Sequence, residues 1–220
     1  RSINDTFPSA QPSTGWGMTE TNAIGTGIAG DDYLARPASS GRASAVLDLI
    51  IVDEKGSPLP PLSPGELWVR GASVIKGYWN RDDANAESFS DDWLKTGDIA
   101  YLDEEGYLFI VDRLKDLVIR GGENIGCAEV EAALLSHPGV IEASVYAIPD
   151  ERLGEEVGAT LYAPEPLDES DLRSYIASQL ARFKIPRYLT ISDAPLPRIA
   201  SGKIDKRFIR ASATKDAQSS

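Results

Sequence analysis

Apolar residues are arranged differently in successive stretches of this chain. Residues 1–45 are rich in Gly, Ser, Thr, Ala and Pro with little periodicity, which predicts loops with short elements. From Val46 the pattern becomes one of short β-rich runs, Val46–Asp53, Glu66–Arg70 and Val74–Trp79, broken by Gly56, Pro58, Pro60, Pro61, Pro64 and Gly71. Such punctuation predicts strands of a small antiparallel, distorted barrel-like sheet. Ile99–Leu102 and Tyr107–Val111 flank Asp103-Glu104-Glu105-Gly106, a hairpin with glycine where the loop favours positive φ. A second pair, Asp116–Arg120 and the residues after Asn124, faces across Gly121-Gly122.

Helix and strand signals then alternate in the order αββαβα. Cys127–His137 places Val130, Ala133 and Leu134 on one face, and Pro138-Gly139 stops it. Val140–Ile148 and Val157–Ala163 read as strands. Asp168 caps a helix with acidic residues in its first turn and a stripe of Leu172, Ile176 and Leu180, and Tyr188–Ile191 is a last strand. The expected class is α+β. Residues 1–113, β-rich over about 45–113, read as one region, residues 114–212 as a compact α+β domain, and 213–220 as a tail. The junction is expected near Arg113–Asp116.

Composition narrows the function classes. The 220 residues are 42% hydrophobic and 25% charged, the mixture of a globular protein. Acidic residues outnumber basic ones by 34 to 22, giving a net charge of −12. That argues against a nucleic-acid surface, which binds through cations. The charge is uneven: residues 1–113 carry 9 basic and 18 acidic side chains, whereas 182–220 carry 9 basic and 3 acidic. One Cys rules out a disulfide framework and suits a reducing compartment, so a cytoplasmic protein is expected. No stretch reads as a membrane span. The first residue is Arg1, and a start inside a longer chain is expected.

Four short segments can carry chemistry. Gly15-Trp16-Gly17-Met18-Thr19-Glu20 offers an aromatic face, a hydroxyl and a carboxylate able to ligate Mg²⁺. Thr96-Gly97-Asp98 presents a carboxylate that can accept from both hydroxyls of a ribose diol. Asp112-Arg113-Leu114-Lys115-Asp116 leads into Gly121-Gly122-Glu123-Asn124, and Pro197 to Arg207 contains Gly202-Lys203, where glycine lets a lysine loop approach a ligand. Each is weak alone. In this order and spacing they resemble the adenylate-forming superfamily of acyl-CoA synthetases, peptide-synthetase adenylation domains and beetle luciferases. Gly65–Gly71, Gly77-Tyr78-Trp79, Ala128-Glu129-Val130-Glu131, His137-Pro138 and Val145–Gly154 extend the resemblance over nearly the whole chain.

The resemblance implies the end of a large AMP-binding domain followed by a mobile lid. It implies Lys203 as the catalytic lysine, Trp16, Thr19, Asp98 and Arg113 around AMP or ATP, Glu20 at Mg²⁺, Lys115 as the hinge, and Gly121, Gly122 and Glu123 along the coenzyme A tunnel. The implied reactants are a fatty or aryl carboxylic acid, ATP and coenzyme A, with the missing N-terminal part of the same enzyme as a partner. Two rivals remain open at this point: an enzyme that loads a carrier protein or oxidises the adenylate as luciferases do, and a catalytically incomplete nucleotide-binding module. The family's Ser/Thr/Gly-rich phosphate loop ending in Pro-Lys is not in these 220 residues, so little activity is expected of them alone. Trp16 stands where tyrosine is usual, which suits adenine stacking equally well, and Gly126-Cys127 departs from the usual residues beside the thiol path. His137 and Cys127 read as packed residues, not catalytic ones.

Overall fold

The computed structural model describes residues 9–218. The chain divides into two compact units between Leu114 and Lys115.

The first unit opens with a small antiparallel sheet of β1 (Ser13–Thr14), β2 (Thr26–Ala29) and β3 (Arg42–Ala43), with α1 (Gly30–Ala35) after β2. Its main sheet holds β4 (Leu47–Val52), β5 (Gly65–Gly71), β6 (Phe89–Ser90), β7 (Trp93–Leu102) and β8 (Leu108–Arg113), with α2 (Asp82–Ser88) just before β6. The strands run antiparallel in the order β4-β5-β7, and β6 and β8 pair with different parts of β7. Leu47, Ile51, Leu67, Val69, Leu94, Ala100 and Leu108 form its core, with Trp16 and Met18 packed at the margin. The predicted hairpin at Asp103–Gly106 is present: Asp103 Oδ1 accepts from Glu105 N (3.0 Å) and Tyr107 N (2.8 Å), and Tyr101 stacks on Phe109 directly across the ladder.

The stretch Val74–Trp79, expected as a strand, is instead an irregular loop. Its backbone groups go elsewhere: Ile75 N donates to Glu20 O (2.8 Å), and Asn85 clamps Tyr78 by accepting from its N–H (2.7 Å) and donating to its C=O (3.0 Å). No ladder partner is left to recruit them.

In the second unit β9 (Leu117–Arg120) and β10 (Glu123–Gly126) form the Gly-Gly hairpin, followed by α3 (Cys127–Leu135), β11 (Glu142–Asp150), β12 (Gly154–Tyr162), α4 (Glu169–Ala177), β13 (Tyr188–Ser192) and α5 (Lys206–Gln218). β12 is central. It pairs with β11 along its length on one side, and on the other with β9 at its start and with β13, in parallel, further on. Asp168 caps α4 through the N–H groups of Ser170 and Asp171, as its acidic first turn predicted. Ala143, Val145 and Ala147 of β11 pack with Val130, Leu134, Leu172 and Ile176, while Tyr146 and Ile148 pack with Leu196 and with Ile209 of α5. The sheet is therefore covered on both faces. Residues 213–218, expected within a tail, continue α5; 219 and 220 lie outside the described residues.

Tyr146 lies over Gly158, its cross-strand partner: a Cβ there would sit 2.6 Å from Tyr146 Cε2 and 2.8 Å from Ile148 Cγ1. Gly158→Val is expected to lower stability by about 1–3 kcal/mol through overpacking, read as a lower urea midpoint for the second-unit transition; an unchanged midpoint would mean that the ring yields freely.

Candidate functional site

Asp98 owes its position to a bulge. Between the pairs Glu66↔Ile99 and Trp68↔Lys95, β5 advances two residues and β7 four, so the Thr96-Gly97-Asp98 turn leaves the ladder with β5. Thr96 Oγ1 donates to Leu67 O (2.7 Å) and accepts from Asp98 N (3.1 Å), and Gly97 N donates to Glu66 Oε1 (3.2 Å). Gly97 has φ +71° with open space where a Cβ would point, so conformation and not room requires the glycine.

On its other side β7 pairs with β8, with a register shift between Ile99 and Ala100, and Asp98 faces Arg113 directly. The carboxylate, only 5% exposed, is bracketed: Arg113 Nε lies 3.1 Å from Oδ1, and Trp16 Nε1 donates to Oδ2 at 2.7 Å. An ionised carboxylate has about four acceptor sites. The Trp16 bond takes one of them and Arg113 pairs with the other oxygen as a charge, so acceptor capacity remains for the hydroxyls of a ligand. Trp16 is held in turn by its backbone, which donates to Thr26 Oγ1 (3.2 Å) and accepts from Thr26 N (2.8 Å). The flanking Gly15 permits that approach, since a Cβ there would lie 2.4 Å from Thr26 O.

Thr19 and Glu20 sit on the 3₁₀ turn Thr19–Thr21, which Thr21 stabilises by donating from Oγ1 to Met18 O (3.0 Å). Thr19 is exposed, and Glu20 is half-buried with Oε1 accepting from the Tyr78 hydroxyl at 2.8 Å. Burial, and then the bond to Glu20, raises the Tyr78 pKa, so the phenol stays a donor. Sequence reasoning placed Tyr78 in a matching segment but missed this contact, which depends on the loop the residue occupies. Among the described residues no group of three His, Cys, Asp or Glu gathers to hold a metal. Glu20 is a lone carboxylate with one oxygen fixed.

In the second unit the Gly121-Gly122 turn is the tight two-residue type, with φ +60° and +91° and with Arg120 paired to Glu123. Its tip is exposed while its base is anchored. Arg120 forks onto the buried Glu156 (2.7 and 3.0 Å), Arg187 bridges Asp150 (3.2 Å) and Glu156 (3.6 Å), and Gly121 N donates to Leu153 O (2.8 Å). Lys115 is exposed on the 3₁₀ turn Leu114–Asp116 between β8 and β9.

Lys203 is exposed, and its ammonium has no partner among the described residues. Lys206, three residues on, behaves oppositely: Nζ lies 2.8 Å from Glu131 Oε1 and 3.9 Å from Asp116 Oδ2. Burial pulls its pKa down, but the Glu131 bond and the surrounding negative charge outweigh it and leave the pKa raised. The Lys203 loop adjoins Glu142, at the start of β11, whereas the Gly121-Gly122 turn adjoins Gly154, which pairs with Asp150 at the end of β11. The eight intervening steps span about 26 Å. His137 is an end-of-helix contact, with Nδ1 accepting from Gly139 N (3.1 Å) and its ring edge-on to Tyr175, and Cys127 is buried.

Known proteins share this arrangement of segments. The family model of AMP-binding enzymes matches residues 1–79, and that of the AMP-binding enzyme C-terminal domain matches residues 129–203. The chain belongs to the adenylate-forming, AMP-binding family. Within that family it is 40% identical to 4-coumarate–CoA ligase-like 6 of Arabidopsis thaliana over 97% of this chain and 38% of that protein. It is 41% identical to a 2-succinylbenzoate–CoA ligase of Bacillus licheniformis over 86% of this chain and 39% of that one. Among solved structures, o-succinylbenzoate CoA synthetase of Bacillus subtilis with its acyl-adenylate intermediate matches with TM-score 0.84 and 39% identity, over 90% of this chain and 40% of that one. The same enzyme has been solved with ATP and magnesium ion (TM-score 0.81, 39% identity, 89% of this chain and 40% of that one). The chain thus spans about two fifths of the length of these family members.

The two partners of Asp98 should differ in weight. Trp16→Phe removes a donor from a buried carboxylate and is expected to cost about 1–2 kcal/mol. Arg113→Gln, at a side chain 72% exposed, should cost less than about 1 kcal/mol. Urea unfolding of both variants checks the order, and equal costs would contradict it.

Proposed function

We propose that this chain is the portion of an AMP-forming acid–CoA ligase that holds the ribose end of the nucleotide and presents the catalytic lysine. The observation that carries the reading is the Asp98 site: a buried carboxylate, looped out of its ladder, fixed by Trp16 and Arg113 and left with acceptor capacity for a diol. The acid substrate belongs to the fatty or aryl class, the class of the ligases to which the chain is similar. The reaction has two halves. In the first, a carboxylate oxygen attacks the α-phosphorus of ATP, the bond to the β-phosphate oxygen breaks, and pyrophosphate leaves. In the second, a thiolate of coenzyme A attacks the acyl carbon and AMP leaves.

The protein's task in the first half is placement and charge neutralisation. Asp98 accepts from the ribose hydroxyls, Arg113 holds that carboxylate in place, and Trp16 forms the wall for adenine. Thr19 donates to phosphate. Glu20 fits a Mg²⁺ that keeps its water and phosphate ligands and takes one protein carboxylate, and the ion when bound would offset phosphate charge. Lys203 neutralises the charge that builds on the phosphoryl oxygens. Its neighbours Arg198 and Lys206 are engaged with carboxylates, whereas Lys203 sits exposed beside the Gly202 turn with no ion pair among the described residues. In the second half the Gly121-Gly122-Glu123 turn lines the path of the thiol. It and Lys203 lie about 26 Å apart along β11, so two steps that use them in turn call for rotation at Lys115.

In the complete enzyme, Lys203→Ala is expected to lower ATP–pyrophosphate exchange about 10²–10³-fold. Thioester formation from preformed acyl-adenylate and coenzyme A should change little. Undiminished exchange would overturn the assignment of Lys203, and acyl transfer to a carrier protein but not to coenzyme A would overturn the acceptor.

A further inference from the structure

The segment carrying Lys203 is a small hairpin with little packing of its own. Ile199 N donates to Lys203 O (2.9 Å), Gly202 N to Ile199 O (2.9 Å) and Asp205 N to Pro197 O (2.7 Å). Gly202 closes the turn at φ +83°. Every residue from Pro197 to Lys203 is exposed; the nearest anchors are Leu196, which is buried, and Ile204, partly buried beside it. Apolar contact therefore fixes the ends of the hairpin and leaves the orientation of its tip open.

What ties the tip to the sheet is polar. Glu142, the first residue of β11, accepts from Leu196 N at Oε2 (2.8 Å) and pairs at Oε1 with Arg198 Nη2. The other arm of the same guanidinium, Nη1, donates to the carbonyl of Gly202 at 2.6 Å. Arg198 thus spans the hairpin from one strand to the residue immediately before Lys203. A planar guanidinium can hold two acceptors in fixed directions, and a single ammonium cannot reproduce that fork. The Leu196 N–H, aided by Arg198 and opposed by partial burial, keeps the Glu142 carboxyl below the usual carboxylate range, so the link is charged. It also occupies Arg198, which would otherwise be a second cation free to take phosphate.

We propose that Glu142 and Arg198 are positioning residues for Lys203: the carboxylate at the head of β11 holds the guanidinium, and the guanidinium holds the Gly202 carbonyl and with it the bearing of the Lys203 side chain. This rests on the reading of Lys203 as the catalytic lysine of adenylate formation. Neither residue touches substrate. Their effect is on geometry, where a displacement of about 1 Å can cost on the order of 10²-fold in rate.

The test compares Lys203→Ala, Arg198→Ala, Arg198→Lys and Glu142→Gln in the complete enzyme. Arg198→Ala is expected to reduce kcat of ATP–pyrophosphate exchange about 10- to 100-fold. KM for ATP should stay within about threefold, and thioester formation from preformed acyl-adenylate within about twofold, because the relay acts on neither. Arg198→Lys should fail to restore exchange, Glu142→Gln should show a smaller loss of the same kind, and added guanidinium should partly rescue Arg198→Ala. If Lys203→Ala abolishes exchange while Arg198→Ala and Glu142→Gln match the parent enzyme, the relay is wrong and the role of Lys203 stands. Equal losses in both half-reactions would also overturn the relay, as a general structural effect. Should Lys203→Ala itself exchange normally, the underlying reading falls, and the relay with it.

Discussion

β11 is buried on both faces, apolar there but for Ser144, and much of the second unit follows from that constraint. A strand with water on one side alternates; Ala143 to Ile148 does not, and each face needs its own cover. One cover is α3 with α4, and the other is α5 with Leu196. Because both layers are required, the chain must return from β13 across the sheet to place α5, and the crossing segment is the one that carries Lys203. The lysine hairpin is in this sense a by-product of closing a core.

The first unit is governed by a different demand. A buried carboxylate is costly unless it is paired and hydrogen-bonded, and Asp98 meets that condition with one donor from a distant loop and one paired cation on the neighbouring strand. The bulge in β7 turns Asp98 away from β5. Conformation and charge are therefore linked: without the bulge Thr96–Asp98 would remain in register with β5, and without these partners the bulge would bury an uncompensated charge.

Where an element depends on local pattern, the sequence was readable. The Gly121-Gly122 hairpin, the Asp103–Gly106 turn and the Asp168 cap each rest on residues adjacent in the chain, and each is present. Val74–Trp79 misled because β-rich composition says nothing about whether a strand partner exists, and here Asn85 and Glu20 take the backbone groups. α2 has no apolar stripe to announce it, since Asp82–Ser88 contains no large apolar residue. The last helix of the αββαβα alternation is present as α5, and the run from Ala143 to Ile148, apolar but for Ser144, called for the second covering layer that it supplies. The site segments were visible as letters. The contacts that organise them, Trp16 to Asp98, Tyr78 to Glu20 and Glu142 to Arg198, span 82, 58 and 56 residues, and spacing along the chain carries no information about such pairs.

The three-residue turn Leu114–Asp116 separates two ladders that share no strand: β8 pairs with β7, whereas β9 pairs with β10 and β12. Backbone torsions can therefore change at Lys115 without breaking an inter-strand hydrogen bond on either side. The rotation proposed at Lys115 thus asks for no change in the strand pairing of either unit.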